Sequence, residues 1–265
     1  MELFLVLVIF ILGLCVGSFL NVVIDRLPKG ESIVKGRSYC DKCRKKLKWY
    51  DLIPLFSFLV LKRKCRNCNS SISFYYPIVE LTTGLLFVFV FFTFNNFQFS
   101  SLRQGFVEQA ALVFQLFLIS SLVVIFFTDL KYEIIPDAIV FPSVFIVFAY
   151  LFLNHGSLFF NYFLTAGGAF LFFLLLFLIT RGRGMGFGDV KFSFLMGLLL
   201  GFPKIVVSLY LAFLTGALIS LILVIWGKKK FIGGTIPFGP FLVLGTLISL
   251  FFADKILKLA SPFLP

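Results

Sequence analysis

Charge is what this sequence has least of. Charged residues make up 14% of its 265 positions, against about a quarter in an ordinary soluble domain. That shortage excludes a water-soluble globular protein, and a hydrophobic content of 60% excludes a disordered chain. Histidine is nearly absent, with His155 the single copy. A Ser–His or Cys–His nucleophile system needs a placed imidazole. His155 sits in the polar stretch Asn154-His155-Gly156-Ser157, on the outer face of the topology argued below. Those peptidase mechanisms are therefore disfavoured, while Ser–Lys chemistry stays open. Acidic residues number 12 against 24 basic ones, leaving a net charge of +12. In a soluble protein this would suggest nucleic acid. Here no nucleic-acid partner is expected, because basic residues collect in cytoplasmic loops of membrane proteins. The first segment lacks a basic n-region and a clear small-x-small cleavage site, so it reads as a retained span rather than a cleavable signal peptide.

What the sequence has in abundance is apolar length. Runs occur at Met1 to about Val23, then at about 78–95, 107–127, 138–153, 158–180, 192–202, 205–226 and 236–253. A membrane-spanning helix needs about 20 apolar residues, so the fold class is an all-α polytopic membrane protein with about eight transmembrane helices. Forty Phe, eight Tyr and two Trp suit surfaces that face the lipid bilayer. Hydropathy collapses over residues 25–76. The domain reading is a first helix over 1–24, a cytoplasmic domain over 25–77 and a seven-helix membrane core over 78–265.

Lys and Arg set the orientation. The segment 25–76 carries thirteen of them, from Arg26 to Arg66, against Asp25, Glu31, Asp41 and Asp51. It is read as cytoplasmic, with the N-terminus outside. With eight spans, the loops 128–137 (Lys131), 181–191 (Arg181, Arg183, Lys191) and 227–235 (Lys228, Lys229, Lys230) are cytoplasmic too. Outer connections hold little: Arg103, His155 and Lys204, then Lys255 and Lys258 at the C-terminal end. The sixth run is 11 residues, about 16 Å of helix against a hydrocarbon core of about 30 Å. Whatever begins that helix lies below the cytoplasmic surface, and what begins it is Gly186-Phe187-Gly188-Asp189.

Two acidic sites follow from this layout. Asp129 ends a wholly apolar run, and Asp189 opens the short helix after Gly-x-Gly. An ionisable residue at membrane depth is costly and points to function. Two carboxyl groups that meet share a proton, so one can act as general base on water while the other acts as acid. Gly186 and Gly188 would permit close approach of an extended peptide. Read singly, an Asp at a helix start is also an ordinary cap. Asp137, following Pro136, reads as a first-turn residue, and Glu133 carries no stronger signal.

The cysteines are more specific. Cys40-x-x-Cys43 and Cys65-x-x-Cys68 are separated by 21 residues, a pattern suited to tetrahedral Zn²⁺. Lys42, Arg44, Lys64 and Arg66 favour thiolates there, and a cytoplasmic location disfavours disulfides. Four thiolates leave no open coordination position, so the zinc is expected to be structural. A short, charged domain with a small core benefits from such a staple. Cys15, inside the first run, reads as a small packed hydrophobe.

These residues together resemble the bacterial prepilin peptidases, or type IV leader peptidases, which are membrane aspartyl proteases. The resemblance runs through Gly17-Ser18-Phe19-Leu20-Asn21 to Asp25-Arg26-Leu27-Pro28, both cysteine pairs, Ile53-Pro54-Leu55-Phe56-Ser57-Phe58 and Tyr76-Pro77-Ile78-Val79-Glu80. It continues through Thr128-Asp129, Ile135-Pro136-Asp137, Gly186-Phe187-Gly188-Asp189-Val190-Lys191 and Ile236-Pro237-Phe238-Gly239-Pro240-Phe241. It implies cleavage of leader peptides from type IV prepilins or pseudopilins at the cytoplasmic face of the inner membrane, with the family's paired aspartates at Asp129 and Asp189. It also implies N-methylation of the new amino terminus from S-adenosylmethionine, with no cofactor site located. The chain departs from the family pattern at Arg63, where many members carry Gly, and the departure bears on methylation. A proton- or ion-coupled transporter using the two aspartates is the alternative class, and a noncatalytic assembly protein with a zinc docking domain is another.

The topology is testable by labelling. Single cysteines replacing Ser32 and Ser157, in a background without the native ones, are expected to react with an impermeant thiol reagent from opposite sides of the membrane. Labelling from the same side overturns the orientation.

Overall fold

The computed structural model describes residues 2–40, 42–97, 105–154, 156, 159–226 and 236–260. Asp41, Arg103, His155, Ser157 and the loop 227–235 with Lys228, Lys229 and Lys230 lie outside the described residues. Nine helices follow one another among those described: α1 (Glu2–Arg26), the short α2 (Phe56–Val60), α3 (Tyr75–Phe97), α4 (Gly105–Tyr132), α5 (Asp137–Asn154), α6 (Phe159–Ile179), α7 (Phe187–Leu200), α8 (Lys204–Ile225) and α9 (Gly239–Ala260). Helices dominate because lipid offers no partner for backbone N–H and C=O groups, and a helix satisfies its own.

Seven of these helices are long and apolar enough to cross a membrane. The remaining apolar run forms α7. The helix extends beyond the apolar run to begin at Phe187, so it has 14 residues and holds Asp189 in its first turn, as expected of the Gly-x-Gly-Asp step. At about 1.5 Å per residue it is about 21 Å long, still short of a bilayer's hydrocarbon core.

The chain divides into two compact units, Met1–Val124 and Ile125–Pro265. In the first, α1 and α3 pack along each other. The segment joining them is tied to their ends by buried polar groups. Arg26 is buried and donates to the carbonyls of Ser32 (2.9 Å), Lys35 (3.2 Å) and Arg37 (3.2 Å), folding that loop around one guanidinium. Asn21 Nδ2 donates to the Tyr76 carbonyl at 3.1 Å, and the Tyr76 hydroxyl donates to Asp25 at 3.0 Å. Cys15 is exposed on α1, not packed as expected, on a helix whose Leu3, Phe4, Leu7, Ile11 and Phe19 are exposed as well.

In the second unit α7 is the hub, packing against α5, α6, α8 and α9. Nine of its residues are buried, including Val190, Phe192, Leu195, Met196 and Leu198. A helix apolar on all sides belongs inside other helices. This helix meets protein rather than lipid around most of its circumference, which frees its length from the bilayer's thickness. The approach is closest at Gly197, where a Cβ would lie 3.0 Å or less from the Thr165–Ala166 backbone of α6. Small residues allow such contact where no hydrophobic drive separates protein from lipid.

Gly197→Val is therefore expected to destabilise the unit by about 1–3 kcal/mol through overpacking, read as a lower midpoint in thermal scanning of the detergent-purified protein. Gly168→Ala, where no atom lies within 4 Å of the added carbon, is expected to leave the midpoint nearly unchanged.

Candidate active site and metal centre

Asp129 and Asp189 both belong to the second unit and both are buried, each 6% exposed. Asp129 lies in the last turn of α4, whose following residue Glu133 turns the chain through a left-handed φ of +55°. Its Oδ2 accepts the backbone N–H of Gly239 at 2.9 Å. Gly239 opens α9 and Pro240 follows it, so the carboxylate faces the N-terminal, positive end of a helix. A Cβ on Gly239 would lie 2.6 Å from that same oxygen, so only glycine permits the contact.

Asp189 stands in the first turn of α7, where its Oδ2 accepts the backbone N–H of Gly186 at 3.2 Å. The capping role weighed from sequence is thus real for Asp189. It uses one oxygen and is compatible with a second role. The charge of Asp129 acts on Asp189, so the two carboxylates share one electrostatic environment. Contacts around them explain how. Gly188 packs on Ile135 in the α4–α5 connection, where a Cβ would come within 2.9 Å of the Ile135 Cβ. Lys191 of α7 pairs with Asp137, the first residue of α5, at 2.5 Å. The start of α7 is thereby bound to the segment that follows Asp129.

The two glycines of the Gly-x-Gly pair differ. Gly188 is tight against Ile135. Gly186 has ordinary extended angles (φ −76°, ψ 152°), and its nearest neighbour, Asp189 Oδ2, would lie 3.8 Å from an added Cβ. Any close approach from outside therefore belongs to the Gly186 side. Asp137 and Glu133 are exposed, Asp137 serving as the partner of Lys191. Gly239 and Ile135 were not singled out as site residues from sequence. The signal for Gly239 was the Gly-Pro step at the opening of an apolar run, a helix-start pattern.

In the first unit the four cysteine sulfurs converge, each within 4.8 Å of the others. Cys40 Sγ and Cys68 Sγ are 3.8 Å apart, and about 3.8 Å is the edge of a tetrahedron with Zn–S bonds of about 2.3 Å. The two knuckles share one backbone design. Cys40 N–H donates to Lys45 O and Cys65 N–H to Ser70 O, while Arg44 N–H returns to Cys40 O and Asn69 N–H to Cys65 O. Arg44 (φ +57°) and Asn69 (φ +53°) make the same left-handed turn. All four thiols are free of disulfides. Hydrogen bonds from the Ser70 side chain and backbone hold the Cys68 thiol down to about 6, while, against a backbone hydrogen bond with Lys45, burial and the neighbouring Cys68 and Cys40 push Cys43 up to about 11, so Cys68 is the readier thiolate of the two.

Residues 11–94 match the bacterial peptidase A24 N-terminal domain, and residues 116–221 match the type IV leader peptidase family. The chain is 33% identical over 256 residues to a Bacillus subtilis protein named prepilin leader peptidase/N-methyltransferase, covering 95% of this chain and 96% of that one. A Pseudomonas aeruginosa protein of the same name is 31% identical, with 96% and 92% covered. A Myxococcus xanthus protein, also of that name, is 37% identical over 82% of this chain, and the match spans 62% of its length. No solved structure matches the chain.

Proposed function

Because this chain belongs to the type IV leader peptidase family, we propose that it cleaves leader peptides from type IV prepilins or pseudopilins, using Asp129 and Asp189 as a water-activating pair. The observation that carries this reading is the pairing itself: two carboxylates buried in one unit, each with one oxygen held by a glycine N–H. The deprotonated member takes a proton from water as the water attacks the scissile carbonyl. The protonated member gives its proton to the developing oxyanion; as the C–N bond breaks, the member that took the water's proton passes it to the departing amine, and the diol hydroxyl returns a proton to the other carboxylate. No acyl-enzyme forms. The titration belongs to the pair, so the base is not one named Asp. Gly186 flanks the approach of the extended substrate backbone, and Gly188 seats the helix that carries Asp189. No observation favours an ion-coupled transporter.

In this reading the protein is a multi-pass protein of the bacterial cytoplasmic membrane, with its N-terminus outside and both aspartates near the cytoplasmic face. Cys40, Cys43, Cys65 and Cys68 hold a structural Zn²⁺, which would tie the two knuckles together and leave no coordination position for water. The new amino terminus is then N-methylated with S-adenosylmethionine as the methyl donor. Among the described residues no side-chain set identifies that cofactor's seat. Arg63, the departure from the family's glycine, has φ +62°, a conformation that costs a non-glycine residue about 1 kcal/mol. Its guanidinium lies 3.7 Å over the Phe74 ring, which offsets part of that cost. A glycine here has a backbone rationale, so the departure does not by itself argue against methyl transfer.

Co-expression with a prepilin and mass analysis of the product tests both activities. Asp129→Asn and Asp189→Asn are each expected to lower cleavage by at least the roughly 10²–10⁴-fold of lost acid–base catalysis, while Asp137→Asn and Glu133→Gln cost far less. Either Asn variant keeping more than about a tenth of the activity would exclude the pair, since general acid–base catalysis is worth far more than tenfold. A cleaved product that never gains a methyl group in the presence of S-adenosylmethionine removes the second activity.

Metal analysis of the purified protein is expected to give about one zinc per chain, as a closed four-thiolate site holds one ion. A native disulfide among these cysteines, or zinc in less than a tenth of chains, overturns the assignment. Cys65→Ser is expected to loosen the first unit while leaving residual cleavage.

A further inference from the structure

The segment between the two cysteine pairs contains a feature that neither zinc nor catalysis uses. Residues 52–61 read Leu-Ile-Pro-Leu-Phe-Ser-Phe-Leu-Val-Leu, without a charge. An apolar stretch of this length is too short to span a bilayer and suits a re-entrant or interfacial segment. It folds as a 3₁₀ turn, Trp49–Leu52, followed by α2. Phe58 packs on Phe74, and Leu55 and Leu61 are half-buried, but most of its apolar side chains face outward. Trp49 is 76% exposed, Phe56 60%, Leu59 71% and Val60 58%, with Leu52 and Ile53 also exposed.

Its depth is fixed by contacts to helices that cross the membrane. Ser18 Oγ lies 3.5 Å from the Leu52 carbonyl, and Leu55 N–H donates to Glu80 Oε2 at 2.9 Å. Ser18 is eight residues before the end of α1, about 12 Å along its axis. Glu80 is five residues into α3, about 7.5 Å. α1 and α3 have 25 and 23 residues, about 37 and 35 Å, exceeding a 30 Å core by only about 7 and 5 Å. Even if all that surplus projects into the cytoplasm, the anchoring positions Ser18 and Glu80 lie about 5 and 2.5 Å below the hydrocarbon boundary, which sets the segment they hold at the border between headgroups and acyl chains.

The backbone is equipped for that depth. Irregular chain survives there only when its polar groups find protein partners. Leu55 N–H is taken by Glu80, Phe56 N–H by Pro54 O, Ser57 N–H by Ile53 O, Leu59 N–H by Leu55 O and Leu61 N–H by Ser57 O. Leu55 itself is held at φ +57°, a strained turn pinned by the Glu80 carboxylate. This gives a buried acid outside the catalytic pair a task. The flanks are basic: Lys48 before, then Lys62, Arg63 and Lys64 after, all exposed. Lys and Arg at such positions pair with anionic headgroups.

We propose that Trp49–Leu61 is a membrane wedge that inserts its apolar side chains into the cytoplasmic leaflet, with Lys48, Lys62, Arg63 and Lys64 on the anionic lipid headgroups. The wedge adds a third attachment to the two helices, α1 and α3, so the metal-binding unit lies on the membrane plane instead of projecting into water. The proposal depends on the spans and not on the catalytic reading.

Tryptophan fluorescence tests it on the full-length chain. With Trp226→Phe, Trp49 is the sole tryptophan. The protein is reconstituted in vesicles of phosphatidylcholine and phosphatidylglycerol, with and without brominated acyl chains. Trp49 emission is expected to fall by at least half with lipids brominated near the headgroup end, and by less than about a tenth with aqueous iodide. A second protein, with Leu59→Trp in a Trp49→Phe, Trp226→Phe background, is expected to behave alike. Iodide quenching without bromolipid quenching means a solvated surface and overturns the proposal. Protection from both quenchers means a protein partner or second copy covers the segment, and overturns it equally. Cleavage activity in the same vesicles reports on the aspartate pair independently.

Discussion

The second unit depends on housing two carboxylates where lipid and buried protein would otherwise exclude them. An ionised carboxylate away from water is among the costliest groups to bury. The fold meets that cost twice with the same device, a glycine N–H at the start of a helix: Gly239 for Asp129 and Gly186 for Asp189. Backbone amides at helix starts are left without intrahelical acceptors, so each carboxylate satisfies a donor that needed a partner anyway. The helix dipole adds to the attraction. Much of the surrounding architecture follows. α9 must begin beside the end of α4, with no side chain at its first position. α7 must begin against the α4–α5 connection, with no side chain at Gly188 to push Ile135 away.

The shortness of α7 has the same origin. A helix meeting lipid must match the bilayer. A helix ringed by α5, α6, α8 and α9 need not, and its first turn is free to lie where Asp189 meets the field of Asp129. The Lys191–Asp137 pair then locks that turn in place. Asp137 is exposed, so its contribution to stability is modest and its value is positional.

In the first unit a different economy operates. Two knuckles with matching hydrogen bonds place four sulfurs within 4.8 Å of one another, while Arg26 gathers three carbonyls and Glu80 takes the amide of a strained turn. Each device satisfies polar groups that a segment with so little core cannot cover by packing.

The sequence by itself determined the helical membrane class, the location of both aspartates at the ends of apolar runs, and the pairing of the cysteines into a set able to hold a metal ion. These are consequences of composition and local spacing: apolar length demands helices in lipid, and Cys-x-x-Cys needs only a tight turn to aim two sulfurs. It also marked the sixth run as too short to span. The apolar run alone begins at Phe192, but the Gly-Phe-Gly-Asp step before it marked the true start of the helix, whose first turn holds Asp189. The sequence could not show that Cys15 is exposed or that Gly239 opens a helix onto Asp129. Nor could it show that Gly188 is crowded while Gly186 is open. Those facts join residues up to 110 positions apart in the chain. They were decided only when the helices packed, because contact across such a separation depends on which helix faces meet, and no local pattern encodes that.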